Sequence, residues 1–108
     1  MLKLSTITKK HGNGTLPVPN PGDILLEDFL KPLGQSQSQL AKAIGVSPRR
    51  INEIVLGKRA VTADTDLRLA RYYGISEGIF LGLQMDYDLR IHRAKLSKRL
   101  EEIKPMAA

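Results

Sequence analysis

The sequence predicts an all-α fold, and three observations carry that expectation. Apolar residues recur at helical spacing in five successive stretches, each bounded by glycine, proline or a capping serine or threonine. No alternating strand pattern competes strongly with them. At 108 residues the chain has room for one compact domain and no second large one.

Residues 1 to 20 read as a flexible N-terminal arm. Gly12, Gly14, Pro17 and Pro19, with Lys3, Lys9 and Lys10, oppose a long helix and leave space for one short strand at most. Such an arm either stays disordered or orders on a partner. The helical domain is expected over 21 to 100, with a tail at 101 to 108.

The first helix is expected at about 22 to 31, where Leu25, Leu26, Phe29 and Leu30 form one apolar face. Pro32 disfavours helical geometry at Lys31, and Gly34 completes the turn. Ser36 and Gln39 stand at capping-box spacing and start a second helix at 37 to 44, which Gly45 stops. Ser47 as cap and Pro48 in the first turn open a third at about 48 to 56, stopped by Gly57. Thr62 is placed to cap a fourth at 63 to 73, with Leu67, Leu69, Ala70 and Tyr73 as apolar candidates and Gly74 at its end. Ser76 opens a fifth at about 77 to 100.

Composition narrows the function classes. With 42% hydrophobic and 26% charged residues the chain has the makings of a packed core, which argues against global disorder. Without cysteine there is neither a disulfide framework nor a thiolate metal site. No apolar run approaches the roughly 20 residues that span a bilayer, and no secretory signal stands at the N-terminus, so a cytoplasmic location is expected. A formal net charge of +6 suits an acidic partner without naming one.

Only Gly45, Val46 and Ser47 separate the second and third helices, which forces a sharp turn between them. Leu40, Ala41 and Ile44 are spaced to face Val46, Ile51 and Ile54, with small Ala41 permitting close approach. That is helix-turn-helix spacing; an αα-hairpin of a helical bundle would not require Gly at 45. In such a unit the N-terminal residues of the second helix meet base edges in the major groove. Here they are Pro48, Arg49, Arg50, Asn52 and Glu53. Arginine pairs bidentately with guanine and asparagine with adenine, while a glutamate either accepts from cytosine or orients an arginine. Gln37, Ser38, Lys58 and Arg59 are placed at the rim to hold phosphates. From Arg49 to Arg59 four basic residues oppose one acidic residue, so positive charge gathers on this element.

Beyond the apolar spacing, the run from Pro21 through Leu30 with Leu40-Ala41, Pro48-Arg49-Arg50-Ile51-Asn52-Glu53-Ile54, Gly57-Lys58-Arg59 and Thr62-Ala63-Asp64-Thr65 resembles the HigA-type antitoxins. These belong to the phage-repressor-like helix-turn-helix family. Tyr72-Tyr73-Gly74 and Tyr87-Asp88-Leu89-Arg90 extend the similarity, which covers about residues 20 to 92 and leaves out the arm. The resemblance implies a compact five-helix, lambda-repressor-like DNA-binding domain. It also implies a homodimer that represses its own operon at an inverted-repeat operator and neutralises an mRNA-cleaving ribonuclease toxin. By the family pattern Arg49, Arg50 and Asn52 are the operator-reading residues.

The fifth helix carries two apolar stripes. Phe80, Leu83, Tyr87, Ile91 and Ala94 suit a core face, while Met85, Leu89, His92, Leu96 and Leu100 form a second one. A small domain buries one such stripe, so the second is expected to form a dimer or partner seam. A stand-alone dimeric repressor would use the same DNA-reading residues and lack a toxin. A pure protein-binding adaptor would leave Arg49 and Arg50 idle. An enzyme finds little support: His11 and His92 are far apart, the serines are explained by caps, and neither a cofactor nor a metal is expected.

Overall fold

The computed structural model describes residues 19 to 107 and is all-helical over that span. The expected arm at 1 to 20 lies outside the described residues except for Pro19 and Asn20. Five helices follow. α1 runs over 21 to 33 in three contiguous pieces, Pro21–Ile24, a π-helical Leu25–Leu30 and Lys31–Leu33. α2 is Gln37–Ile44, α3 Pro48–Val55, α4 Ala63–Tyr73 and α5 Ile79–Glu102.

α1 starts one residue earlier than the sequence suggests, at Pro21, with Asn20 as its cap, whose Oδ1 accepts from the Asp23 N–H at 3.0 Å. The larger correction is at Pro32, which was expected to end the helix at Lys31; Lys31 is helical and the helix continues to Leu33. Proline in a regular α-helix clashes with the carbonyl four residues back and leaves it unpaired. The π-helical turn relieves this: the Lys31 N–H donates to the carbonyl of Leu26, five residues back, so the ladder widens before the proline enters.

α2 begins and ends as its sequence prescribes. Ser36 Oγ accepts from the Gln39 N–H at 3.0 Å, and the Ser36 N–H donates to Gln39 Oε1 at 2.8 Å. Gly45 then takes a left-handed conformation, φ 73°, which a side chain would oppose. Three other expectations at helix starts and stops need correcting. Leu56 caps α3 instead of continuing it, and Thr62 occupies the N-cap of α4 without a side-chain hydrogen bond. Gly78, not Ser76, immediately precedes α5.

The core gathers Ile24, Leu25, Phe29 and Leu30 of α1 with Leu40, Ala41 and Ile44 of α2, Ile51, Ile54 and Val55 of α3, then Val61, Leu69 and Phe80. Phe29 stands at its centre, 4.7 Å from the ring of Tyr73 and 5.2 Å from that of Phe80. Leu67, expected on the apolar face of α4, is exposed, as is Ala94 on α5. Both faces differ from what spacing implied: on α4 the covered residues are Thr65, Asp66, Leu69 and Ala70, with Tyr73 packed at the edge and Leu67 left outside, and on α5 the body ends before Ala94.

Buried polar groups set the direction of α5. Asp66 of α4 accepts from the Gly78 N–H at 2.6 Å and the Leu81 N–H at 2.9 Å, supplying partners for donors that a helix start leaves over. Gln84 Oε1 accepts from the Val61 N–H at 2.8 Å, and its Nε2 donates to Asp88 at 3.0 Å. From Asp88 onward only Ile91 is even half-buried, so the C-terminal half of α5 projects from the body. The described residues accordingly span 52 × 28 × 24 Å. The helix reaches Glu102, two residues into the expected tail.

α1 and α3 meet at Gly22, whose missing side chain is essential: a Cβ there would lie 1.9 Å from the carbonyl oxygen of Ile54. Gly22→Ala must push α1 away from α3 and is expected to destabilise the domain by about 1 to 3 kcal/mol. Thermal unfolding followed by circular dichroism checks this; an unchanged Tm would mean the two helices are not held in this contact.

Candidate nucleic-acid interface

The geometry of the candidate site begins at the turn. The Val46 N–H donates to the carbonyl of Ala41 at 3.0 Å, closing the end of α2 around Gly45. Ser47 Oγ then accepts from the Arg50 N–H at 3.1 Å, starting α3, with Pro48 in its first turn. α3 turns Ile51, Ile54 and Val55 inward, which leaves Pro48, Arg49 and Asn52 exposed on the opposite side. Asn52 Nδ2 donates to Gln37 Oε1 at 3.1 Å, so the exposed face of α3 and the start of α2 are one surface. Ser38 lies beside Gln37, exposed.

Beyond α3 the backbone closes back on itself. The N–H groups of Lys58 and Arg59 both donate to the carbonyl of Glu53, at 2.8 and 3.2 Å, and present the two basic side chains to solvent. Glu53 also gathers side chains. Its Oε1 accepts from Arg59 Nε at 2.8 Å and Nη2 at 2.7 Å, and its Oε2 from Arg49 Nε at 3.1 Å. The structure therefore brings Arg49 and Arg59, expected to contact bases and phosphates respectively, onto one carboxylate.

Arg50 pairs with a different carboxylate. Its Nη1 donates to Asp64 Oδ1 of α4 at 3.1 Å, and its side chain is 31% exposed against 83% for Arg49. The same Asp64 oxygen accepts from Arg68 Nε at 2.8 Å, and Arg68 Nη1 reaches the carbonyls of Ile44 at 2.8 Å and Gly45 at 3.4 Å. Sequence reasoning assigned no role to Asp64 and Arg68. The signal available was weak: an acid and a base four residues apart on a predicted helix, an arrangement common on solvated faces.

The expected seam residues Met85, Leu89, His92, Leu96 and Leu100 are all exposed, and Ile103 beyond them is 65% exposed. His92 is therefore a surface residue, and His11 lies outside the described residues. Among the described residues no His, Cys, Asp and Glu cluster could hold a metal ion, and no helix is long and apolar enough to cross a membrane.

Hydrogen bonds from Arg59, then Arg49, hold the Glu53 carboxyl below its ordinary pKa, and Arg68, then Arg50, do the same for Asp64. A carboxyl whose pKa is depressed by folding stabilises the fold above its unfolded pKa, a contribution lost as pH falls through the folded value. Asp64 is exposed and Glu53 only half-buried, so water screens the gain. In a carboxyl-carbon NMR titration Glu53 is expected to titrate below 4.5, its ordinary value. Arg59→Ala should raise that midpoint more than Arg49→Ala, and the reverse order would place the stronger partner on α3.

Residues 26–80 match the helix-turn-helix family. Virulence-associated protein I of Dichelobacter nodosus is 51% identical over 80 residues, 74% of each chain. The antitoxin HigA of Pseudomonas aeruginosa, solved with the higBA promoter, superposes with a TM-score of 0.79 at 35% identity, covering 83% of this chain and 99% of its own. The antitoxin GraA in complex with its operator gives 0.80 at 33% identity, covering 89% and 97%. The chain belongs to the phage-repressor-like helix-turn-helix family, with HigA antitoxins among its structural neighbours.

Proposed function

We propose that this chain is a sequence-specific DNA-binding antitoxin, which represses its own operon and neutralises an mRNA-cleaving ribonuclease toxin. The observation that carries the DNA part is the exposed face of α3, where Pro48, Arg49 and Asn52 stand clear of the body between Gln37 and Ser38 on one side and Lys58 and Arg59 on the other. Two solved relatives with this fold sit on a promoter or an operator. In this reading Arg49, Arg50 and Asn52 face base edges, Glu53 orients Arg49, and Gln37, Ser38, Lys58 and Arg59 hold phosphates. The antitoxin part rests on the similarity to HigA and GraA. Co-expression with the product of the adjoining gene tests it: a toxicity that this chain relieves by forming a complex supports the assignment. Operator binding without any such complex would leave a stand-alone repressor.

A single recognition helix makes few base contacts, so the protein is expected to act as a homodimer on an inverted repeat, with half-sites about 34 to 36 Å apart or multiples of that. The exposed stripe Met85, Leu89, His92, Leu96 and Leu100 on the projecting half of α5 is the surface we assign to this seam. Helices meeting there would bury side chains that the isolated body leaves in water.

Arg49→Ala is expected to weaken operator binding by about 1 to 3 kcal/mol and relax the preference at one base position. Lys58→Ala should weaken operator and random duplexes alike and make the salt dependence shallower. Anisotropy titrations over salt and operator variants separate the two, and equal losses on both duplexes for Arg49→Ala would remove its base-reading role. For the seam, the Leu89→Lys, Leu96→Lys double variant should sediment as the 12.0 kDa protomer where the wild type sediments as a dimer. A variant that remains dimeric would place the interface elsewhere.

A further inference from the structure

We propose that Asp64, which lies on α4 outside the helix-turn-helix, is a specificity-determining residue that acts by aiming Arg50. The proposal rests on the DNA-binding reading above. Asp64 is itself anchored: Arg68, one turn along the same helix, donates Nε to Asp64 Oδ1 at 2.8 Å and Nη1 to the Ile44 carbonyl at 2.8 Å. The carboxylate thus sits at a fixed point relative to the end of α2 and the start of α3. From there it holds Nη1 of Arg50 at 3.1 Å.

A guanidinium is planar and carries five N–H donors, so tethering one nitrogen restricts the directions in which the others point. Asp64 occupies Nη1 and leaves other donors of Arg50 for a bidentate contact to a guanine edge. Without the tether, a mobile arginine at the start of α3 would reach phosphates of any sequence. The charge of Asp64 has a separate effect on affinity. Its side chain is 58% exposed beside the reading face, where a carboxylate repels the backbone of every duplex equally. Aim raises the affinity for the right sequence, whereas the repulsion lowers affinity for all sequences and leaves their ratio unchanged, so discrimination comes from the aim.

The test uses the full chain with Asp64→Asn, Arg50→Ala and the double variant. Each is titrated by fluorescence anisotropy against the duplex upstream of its own gene, single base-pair variants of it, and a random duplex, over a salt series. Asp64→Asn keeps the size and removes the charge. It is expected to bind random DNA more tightly, with a salt slope steeper by about 0.9, as the freed arginine takes a phosphate. Preference for the cognate duplex should fall about 10-fold, and the loss should concentrate at one base pair. The double variant should then show the same base-pair preference as Arg50→Ala, because Asp64 acts on specificity through Arg50, while its affinity for all duplexes rises equally with the loss of the carboxylate. A merely structural role would lower thermal stability and leave the base-pair profile unchanged. The assignment is overturned if wild type discriminates and Asp64→Asn keeps that discrimination within about twofold, or if the two substitutions reduce the discrimination independently. A wild type that binds cognate and random duplexes equally would overturn the DNA reading, and this inference with it.

Discussion

The left-handed turn at Gly45 is the constraint on which the working surface depends. It ends α2, and the Val46 N–H returning to the Ala41 carbonyl fixes the direction in which the chain leaves. Ser47 then starts α3 within two residues. With so short a connection, the angle between the two helices is a property of the turn more than of the packing that follows. Packing then holds what the turn sets. Ile51 and Ile54 lock onto Leu40, Ala41 and Ile44 on one side, and α1 abuts the carbonyl of Ile54 through Gly22 on another. Across the turn, Arg68 bonds to the carbonyls of Ile44 and Gly45, groups that a helix end leaves unpaired. α3 is thereby fixed at its start, along its inner face and near its end.

A similar division between backbone and side chain governs α5. The long helix is not directed by its apolar face alone, since Phe80 is its one fully buried apolar residue. Asp66 and Gln84 supply the direction, through hydrogen bonds to the Gly78, Leu81 and Val61 N–H groups. Buried polar bonds of this kind cost much if left unmade, and so favour one orientation over nearby alternatives. The orientation matters because the projecting half of α5 carries the stripe assigned to self-association. In the proposed dimer the angle of α5 would set the separation of the two α3 helices, which would have to suit the helical repeat of DNA.

The five helices were legible because local rules write them. Ser36 with Gln39, Gly45, Ser47 with Pro48, and Gly74 each act on backbone within a few residues, and their positions in the sequence place the helix ends. Pro32 shows the limit of local rules. Whether a proline ends a helix or is absorbed by a π turn depends on how firmly Phe29 and Leu30 before it are held by the core. The faces of α4 and α5 were legible only in part for the same reason: Leu67 and Ala94 have the right spacing, but nothing packs over them. The Arg50, Asp64 and Arg68 network was not legible. Its bonds join residues 14 and 24 positions apart, and no periodicity encodes which acid a surface arginine will find.

That network also changes how the charge of the site is understood. From sequence, the segment Arg49 to Arg59 is a local excess of positive charge, attractive to any polyanion. In the fold, three of its four cations already touch carboxylates: Arg49 and Arg59 share Glu53, and Arg50 holds Asp64. Among its cations Lys58 alone has no carboxylate within ion-pair distance in the described residues. A duplex approaching this surface therefore meets arginines whose planes and directions are set beforehand, at the expense of part of their raw attraction. Exposed ion pairs contribute little to stability, on the order of 0 to 1 kcal/mol each, so their consequence for the fold is small. On the proposed reading their consequence for recognition is larger. A pre-oriented guanidinium loses less rotamer freedom on meeting a base edge than a free one, while neutralised charge weakens binding to every sequence alike. Acidic residues on a DNA-reading face oppose affinity and favour selectivity, and a regulator that must find one site among many is served by that exchange.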